Sequence, residues 1–427
     1  MSATEQDRAE VLRALSFALD VAMQMFRQGI ETDVIAGTVR RLAEAQGIDD
    51  LQLAVGARTV HVQYRPPAGG DPIVLLGTID ANDSRDIGRM GDLEDLALRA
   101  GTGESAMDDA EARIARLSDL PPTWPWYVSV LGGCLLAAMI CLQAGGTVMA
   151  ALLAAPLFVL ANRVGWALSS VGFAEFFQVA LKASVVLVAA IAALALEWVN
   201  GHEAASIAAA NLVLLLPILS LVSLVEDAVG GYQLMAAARA VTVVLLTGAI
   251  VTGVMVVVSL ARDLDILGEA SRVQLVALPF LLVPVTAVVG SLGNAILMGT
   301  PLRWWPLAAA AGIVTSLVNW CGGTLLGLAT PLSILLATTV LGALAGGATR
   351  RLRVPSAVVT IPGLTGAVLP GPAMYTSLSH VFAHVPGAWD AVLEAVLATS
   401  AIGIGVVLGL QLAALRRRHA GNATSLR

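Results

Sequence analysis

Charge is what this sequence has least of. Asp, Glu, Lys and Arg make up 13% of its 427 residues, where a soluble domain carries about 25%. A single lysine, Lys182, stands among the arginines. Cysteine is nearly absent as well. Cys134, Cys141 and Cys321 all lie in apolar stretches, where a free thiol packs as a small hydrophobe, so neither a disulfide framework nor a thiolate metal site is expected. With a net charge of -6 and no Lys/Arg cluster in the first 120 residues, the chain lacks the basic footprint of a nucleic-acid partner. Met1 to Asp20 has no basic n-region followed by an apolar run, so no cleaved signal is expected. What is present is 57% hydrophobic, with a mean hydropathy of +0.80, and points to a lipid bilayer.

That average hides two parts. The first 120 residues hold 12 Arg against 21 Asp and Glu, net -9, and the 307 that follow hold 13 basic against 10 acidic residues, net +3. The reading divides the chain into a cytoplasmic α+β domain over 1–120, transmembrane halves over 121–265 and 266–418, and a cytoplasmic tail over 419–427. In the first part, Val11, Leu12, Leu15, Leu19, Ala22, Met23 and Phe26 recur at helical spacing over Glu10 to Arg27. A second helix is predicted from Thr32 or Asp33 to Ala45, closed by Gly47. Alternating stretches at 51–55, 59–64 and 73–79 predict a short antiparallel sheet, and two more helices are expected at 93–100 and 105–117. His61 has no nucleophile elbow, phosphate loop or ligand spacing beside it, so a structural or surface role is expected. The acids from Asp80 to Glu111 read as a solvated face, and the run Asp80 to Asp86 lacks calcium-loop spacing. No cofactor is called for.

Ten apolar segments follow Trp124, Trp126 and Tyr127, rings suited to a headgroup interface. They are 126–142, 146–161, 179–196, 206–225, 236–260, 273–298, 304–325, 328–347, 356–378 and 391–415, against the roughly 20 residues that a span requires. An even number returns both ends to one side. Arg350, Arg351 and Arg353 after the eighth segment, and Arg416 to Arg418 in the tail, mark that side as cytoplasmic. Arg163 and Arg303 then fall inside and the acidic Glu197 to Glu203 loop outside. Arg262 and Arg272 oppose the rule in company with Asp263, Asp265 and Glu269. The fold class is thus a polytopic α-helical membrane protein of about ten spans in two five-helix halves, preceded by a small α+β domain. An odd number of spans per half forces opposite orientations. Leu215-Leu216-Pro217-Ile218 in the fourth segment and Val368-Leu369-Pro370-Gly371 in the ninth support a duplication. Mid-span prolines release carbonyls, and matched broken helices are where transporters hold cargo. Pro156, Pro279, Pro284 and Pro362 show that simple kinks are the competing reading.

Ionisable groups inside apolar segments are expensive, which makes them candidates for function. Glu226 and Asp227 follow Ser220 and Ser223, with Arg239 three turns further along. One carboxylate is available to carry a proton while Arg239 pairs with it or with a substrate carboxylate; the competing reading is a wet cytoplasmic boundary. Asn211, Asn294, Asn319, Thr315, Tyr375, Ser377 and Ser379 line a polar path or serve as helix contacts. Glu175 and Lys182 share a helical face as a border pair. His380 and His384 share one too, and an interfacial place is expected there rather than a metal site.

These features resemble the threonine/serine exporter family over essentially the whole chain. Gly29, Glu31, Thr32, Thr38, Arg40, Arg41 and Gly47 match the family's helix junction in the soluble domain, although Val34-Ile35-Ala36 replaces its arginine-valine-glutamate triplet. Pro217, Asp227, Gly231 and Arg239 match the fourth span, with Ile218 in place of glycine, and Pro370, Gly371 and Tyr375 match the ninth. The resemblance implies proton-driven export of L-threonine and L-serine across a bacterial cytoplasmic membrane. Arg239 would meet the substrate carboxylate, and Asp227 or Glu226 would take the proton. A hydrolase would require a nucleophile and base pair, and the sequence offers none. A scaffold or sensor would use the first helix as a docking face, and the soluble domain is equally suited to gating or to forming a homo-oligomer. Export of another small metabolite or a dipeptide is the nearest alternative.

Overall fold

The computed structural model describes residues 3–66, 71–79, 85–104, 106–264, 280–365 and 388–425. The head opens with α1 (Ala3–Arg27) and α2 (Thr32–Glu44), joined at Gly29, whose φ of +73° is a left-handed turn. Strands β1 (Leu51–Val55), β2 (Thr59–Tyr64) and β3 (Ile73–Thr78) form an antiparallel sheet in that order, with Val62 opposite both Leu53 and Leu75. Then come α3 (Ile87–Gly101) and α4 (Met107–Asp119). The alternation of β2 buries Val60, Val62 and Tyr64. On that face α1 packs, its Met23 sulfur lying so close to Gly77 that a Cβ there would collide with it. His61 points to the opposite, open face with Val74 and Leu76, which are 57% and 55% exposed.

α3 begins six residues earlier than the apolar pattern predicts. Gly88 and Gly91 lower the local helix propensity and obscure it. Asp86 compensates as N-cap, accepting the Arg89 N–H at 3.1 Å, while Ile87 and Met90 bury the first turn. The same carboxylate accepts the Thr123 N–H at 2.8 Å and its hydroxyl at 2.7 Å, so the end of the head is tied to the start of α3.

The apolar part comprises α5 (Trp126–Gln143), α6 (Val148–Ser170), α7 (Glu175–Ala195), α8 (Gly201–Val213), α9 (Ile218–Val229), α10 (Gln233–Asp263), α11 (Val283–Leu297), α12 (Trp305–Trp320), α13 (Thr330–Leu352), α14 (Ala357–Gly363) and α15 (Ala388–Ser425). Eight helical segments among the described residues are long and apolar enough to cross a membrane, and α8 with α9, bent by 45°, makes a ninth. The chain is therefore a polytopic α-helical membrane protein with eight to nine such spans described. Beyond α14, the segment expected at 356–378 lies outside the described residues. α6 runs past Asn162 and Arg163, because the Arg163 guanidinium rests 4.9 Å over the Trp126 ring and does not end the helix. Pro156 sits inside α6, Pro284 lies in the first turn of α11 and Pro362 lies near the end of α14; Pro279 is outside the described residues.

Close contacts tend to fall at glycine. A Cβ on Gly132 would lie 2.6 Å from the Gly293 carbonyl oxygen, and one on Gly293 would lie 2.8 Å from that of Gly132, so α5 and α11 meet reciprocally. α13 and α15 pack through Gly342 and Gly346 on one helix and Gly405 and Gly409 on the other. This is the small-xxx-small spacing by which apolar helices approach without a hydrophobic driving force. The neighbours of α5, α6, α7 and α8 repeat among α11, α12, α13 and α14: in each set the second helix touches the other three, and the fourth touches all of its companions. The chain forms two contact-dense units. One is the head through Thr123 with Ser223–Arg239; the other is Trp124–Val222 with everything from Ala240.

Candidate substrate and proton site

The site grows from a broken helix. Pro217 lacks the N–H that would continue the ladder out of α8, and α9 restarts at Ile218. α9 carries Ser223, Glu226 and Asp227 and ends in a Schellman closure, with the Tyr232 N–H donating to the Asp227 carbonyl at 2.8 Å and Gly231 at φ +85°. α10 then starts at Gln233 and carries Arg239.

Arg239 is not three turns along the same helix as Asp227. A continuous helix would hold residues twelve apart at about 18 Å, whereas Arg239 Nε lies 2.7 Å from Asp227 Oδ2 across the turn between α9 and α10. The N–H does not point along that line, so the contact is an ion pair rather than a linear hydrogen bond. Asp227 is 1% exposed and the Arg239 side chain 15%. Ser223, also buried, lies one turn before Asp227, and Glu226 Oε2 is buried with no hydrogen-bond partner.

The same contact unit adds charges from the head. Burial works against the Arg85 charge, and Arg239 adds to the opposition, while Glu31 and Glu226 favour it. Arg85 packs on Gly29, where a Cβ would stand 2.8 Å from its Nε. Next to them, Glu94 of α3 is pushed up to about 7, first by burial and then by Glu31, with Arg41 opposing. Arg41 in turn donates to the Thr38 hydroxyl at 3.1 Å. Glu31, Glu226 and Asp227 oppose Arg85 and Arg239, so three carboxylates face two guanidinium groups.

The other expected site residues lie elsewhere. Asn211 of α8 donates to Ala154 of α6 and to Ile207, both at 3.2 Å, leaving its buried Oδ1 without a partner. Asn294 of α11 donates to the Ile361 carbonyl of α14 at 2.8 Å. Asn319 is the penultimate residue of α12, just before a π turn at Cys321–Leu325, a form of helix that recurs at functional sites. Thr315 donates to Ala311 of its own helix at 2.8 Å. Lys182 lays its stem over Gly165 of α6 and is not within ion-pair distance of Glu175. Pro370, Gly371, Tyr375, Ser377, Ser379, His380 and His384 lie outside the described residues. Among the described residues, no three His, Cys, Asp or Glu side chains gather as a metal would require. Sequence reasoning missed Arg85 and read Glu94 and Asp86 as part of a solvated face, whereas burial raises the Glu94 carboxyl and Asp86 is buried as the cap of α3. Arg85 is a lone cation in an acidic run, and 142 positions separate it from Asp227, so only the folded head reveals the association.

The family described as "Putative threonine/serine exporter" matches residues 16–261, and "Threonine/Serine exporter, ThrE" matches residues 284–414. The chain is 26% identical to a "Probable threonine/serine exporter" of Mycobacterium tuberculosis, over 98% of this chain and 80% of that one. It is 24% identical to a "Threonine/serine exporter" of Corynebacterium glutamicum, over 96% and 85% respectively. No solved structure matches the chain.

Proposed function

The chain belongs to the threonine/serine exporter family, and from that premise we propose that it exports threonine and serine from the cytoplasm in exchange for protons. The observation that carries this reading is the buried Asp227–Arg239 pair at 2.7 Å beside the unpartnered Glu226 Oε2. A zwitterionic amino acid brings one carboxylate and one ammonium. Its carboxylate takes Arg239 from Asp227, and its ammonium meets the carboxylate thereby released. When the substrate leaves, Asp227 returns to Arg239, and a proton on Glu226 neutralises the carboxylate that has no hydrogen-bond partner. The proton and the substrate's ammonium thus compete for the same carboxylates, which is the requirement for exchange.

The finer architecture belongs to the same proposal: ten spans in two inverted five-helix halves, meeting at the reciprocal Gly132–Gly293 contact. Consistent with this arrangement, Trp124 and Trp305 both donate to the Thr300 carbonyl at 3.1 Å, gathering the start of α5 and the α11–α12 turn at one end. His202 bonds the Gly145 carbonyl at 2.8 Å, joining α8 to the α5–α6 turn. The arginine bias makes the end bearing Trp124 cytoplasmic, in a bacterial inner membrane, with the head and the C-terminus inside.

The test is efflux of labelled threonine and serine from proteoliposomes holding the purified chain, first with an imposed pH gradient and then with that gradient collapsed. Gradient-dependent efflux is expected. Efflux that ignores the gradient would refute the proton exchange, and the absence of efflux of either amino acid would refute the substrate assignment.

A further inference from the structure

A second charged feature lies far along the chain from the Asp227 site, at the C-terminal end of α13. There a cavity of about 660 Å³ opens among α12, α13, α14 and α15, within the roughly 300–1,000 Å³ range of small-molecule sites. Its walls are apolar, formed by side chains such as Ala311, Val314 and Leu412, and its rim carries Arg350, Arg351 and Arg416. At Gly347, which faces this space, an added Cβ would meet nothing within 4 Å among the described residues, so there the helix borders the hollow rather than a packing contact. The contrast with Gly346 is direct: one position earlier, a Cβ would lie 2.7 Å from the Ala413 Cβ.

None of the three rim arginines forms an ion pair with a carboxylate among the described residues. Arg350 and Arg351 sit in the last turn of α13, where cations complement the helix dipole. That effect accounts for one helix end, but not for Arg416, which comes from α15 to the same rim. The exposed Leu344 and Leu352 are also among the lining residues. An apolar slot beneath a cationic rim, at the end of a spanning helix, has the chemistry of an amphiphile with an anionic head. A small zwitterion would leave the slot empty, and a free anion would use only the rim.

We propose that this cavity is a binding site for an anionic phospholipid, its phosphate held by Arg350, Arg351 and Arg416 and one acyl chain laid past Gly347. The leaflet that the arginine bias makes cytoplasmic is also the one rich in anionic lipid. The proposal is independent of the amino-acid reading, because it uses no residue of the Asp227 cluster.

The experiment is native mass spectrometry of the full chain in neutral detergent, titrated with phosphatidylglycerol or phosphatidylcholine. The wild type is expected to retain phosphatidylglycerol preferentially. The triple variant R350Q/R351Q/R416Q should weaken that retention by on the order of 100-fold, since each basic side chain near an anionic surface contributes roughly fivefold. Gly347→Leu leaves every arginine in place but fills the slot, and it should lose the lipid as well, with its melting temperature in mixed micelles of neutral detergent and phosphatidylcholine unchanged. Inorganic phosphate should not displace the lipid from the wild type. The double variant R163Q/R303Q, which removes arginines outside the cavity, should retain it fully. Equal retention of the two lipids, or a triple variant that binds like the wild type, would overturn the proposal. Unchanged binding by Gly347→Leu together with displacement by phosphate would overturn it too, by reducing the site to an anion-binding rim.

Discussion

Around α14, buried polar side chains are used up on backbone. Ser291 donates to the Pro362 carbonyl at 2.9 Å, Asn294 to Ile361 at 2.8 Å and Thr365 to Pro362 at 2.5 Å. Each group finds a neutral partner, and the result is a fixed helix contact. In the hairpin of α9 and α10 the buried groups are ionic and uneven in number. Asp227 has Arg239, Glu226 Oε2 has no hydrogen bond, and Glu31 and Arg85 add one charge of each sign. A satisfied neutral network specifies one structure. An unbalanced ionic one leaves a charge for a proton or a ligand to complete, which is the role that the proposed exchange gives it.

The sharpest way to break this contrast is at Asp227. Asp227→Asn should abolish gradient-driven efflux from proteoliposomes and lower the melting temperature, since it breaks the ion pair with Arg239. The double variant D227N/R239Q removes both charges. It should recover most of the melting temperature without recovering transport. Recovery of transport in the double variant would mean that the pair is only structural.

Next in size is the glycine seam. Gly405→Leu drives a side chain into Thr338 and the Leu335 carbonyl across the α13–α15 interface, with an expected cost of about 3 kcal/mol from overpacking. The readout is an apparent melting temperature in detergent, where a fall of several degrees is expected. Asn294→Ala should cost less, about 1–3 kcal/mol, because one buried hydrogen bond is lost and the Ile361 carbonyl is left without that donor. Transport by the folded fraction should persist in Asn294→Ala, in contrast to Asp227→Asn. If both variants abolish turnover, the distinction between a holding network and a working one is wrong.

Much of this organisation was legible in the sequence for a simple reason: a spanning helix must be apolar along its whole length, so eight helices and the bent pair lie where continuous hydrophobicity placed them. The three strands were legible by alternation. The Asp227 to Arg239 contact was only half legible. Segment ends at Val225 and Ala236 bracketed the turn, but Gly230-Gly231 does not announce that the two helices on either side bring their charges together. Glycine-mediated packing was available and overlooked, since Gly342-x-x-x-Gly346 and Gly405-x-x-x-Gly409 are both written in the chain. So is the paired Leu160-Ala161-Asn162-x-x-Gly165 and Leu317-Val318-Asn319-x-x-Gly322, a stronger sign of duplication than the prolines. The association of Ser223–Arg239 with the head was illegible, because it depends on contacts across more than a hundred residues of sequence.

The smallest expected effect tests that association through pH. Glu94 lies beside Glu31 and Arg41, and its carboxyl is raised from 4.5 to about 7, mainly by burial. Between those values the folded chain holds a proton that the unfolded chain has released, so stability falls as pH rises from about 4.5 to about 7 and the loss is complete above that range. After allowance for partial solvent screening, the full change is about 1–2 kcal/mol. Glu94→Gln removes the titration. Melting curves of the full chain across this window should therefore flatten for the variant, which should be the more stable of the two at pH 8. An unchanged slope would show that Glu94 already has the solvation of a surface carboxylate, and that the charge set shared with Glu31 and Arg85 stops short of α3.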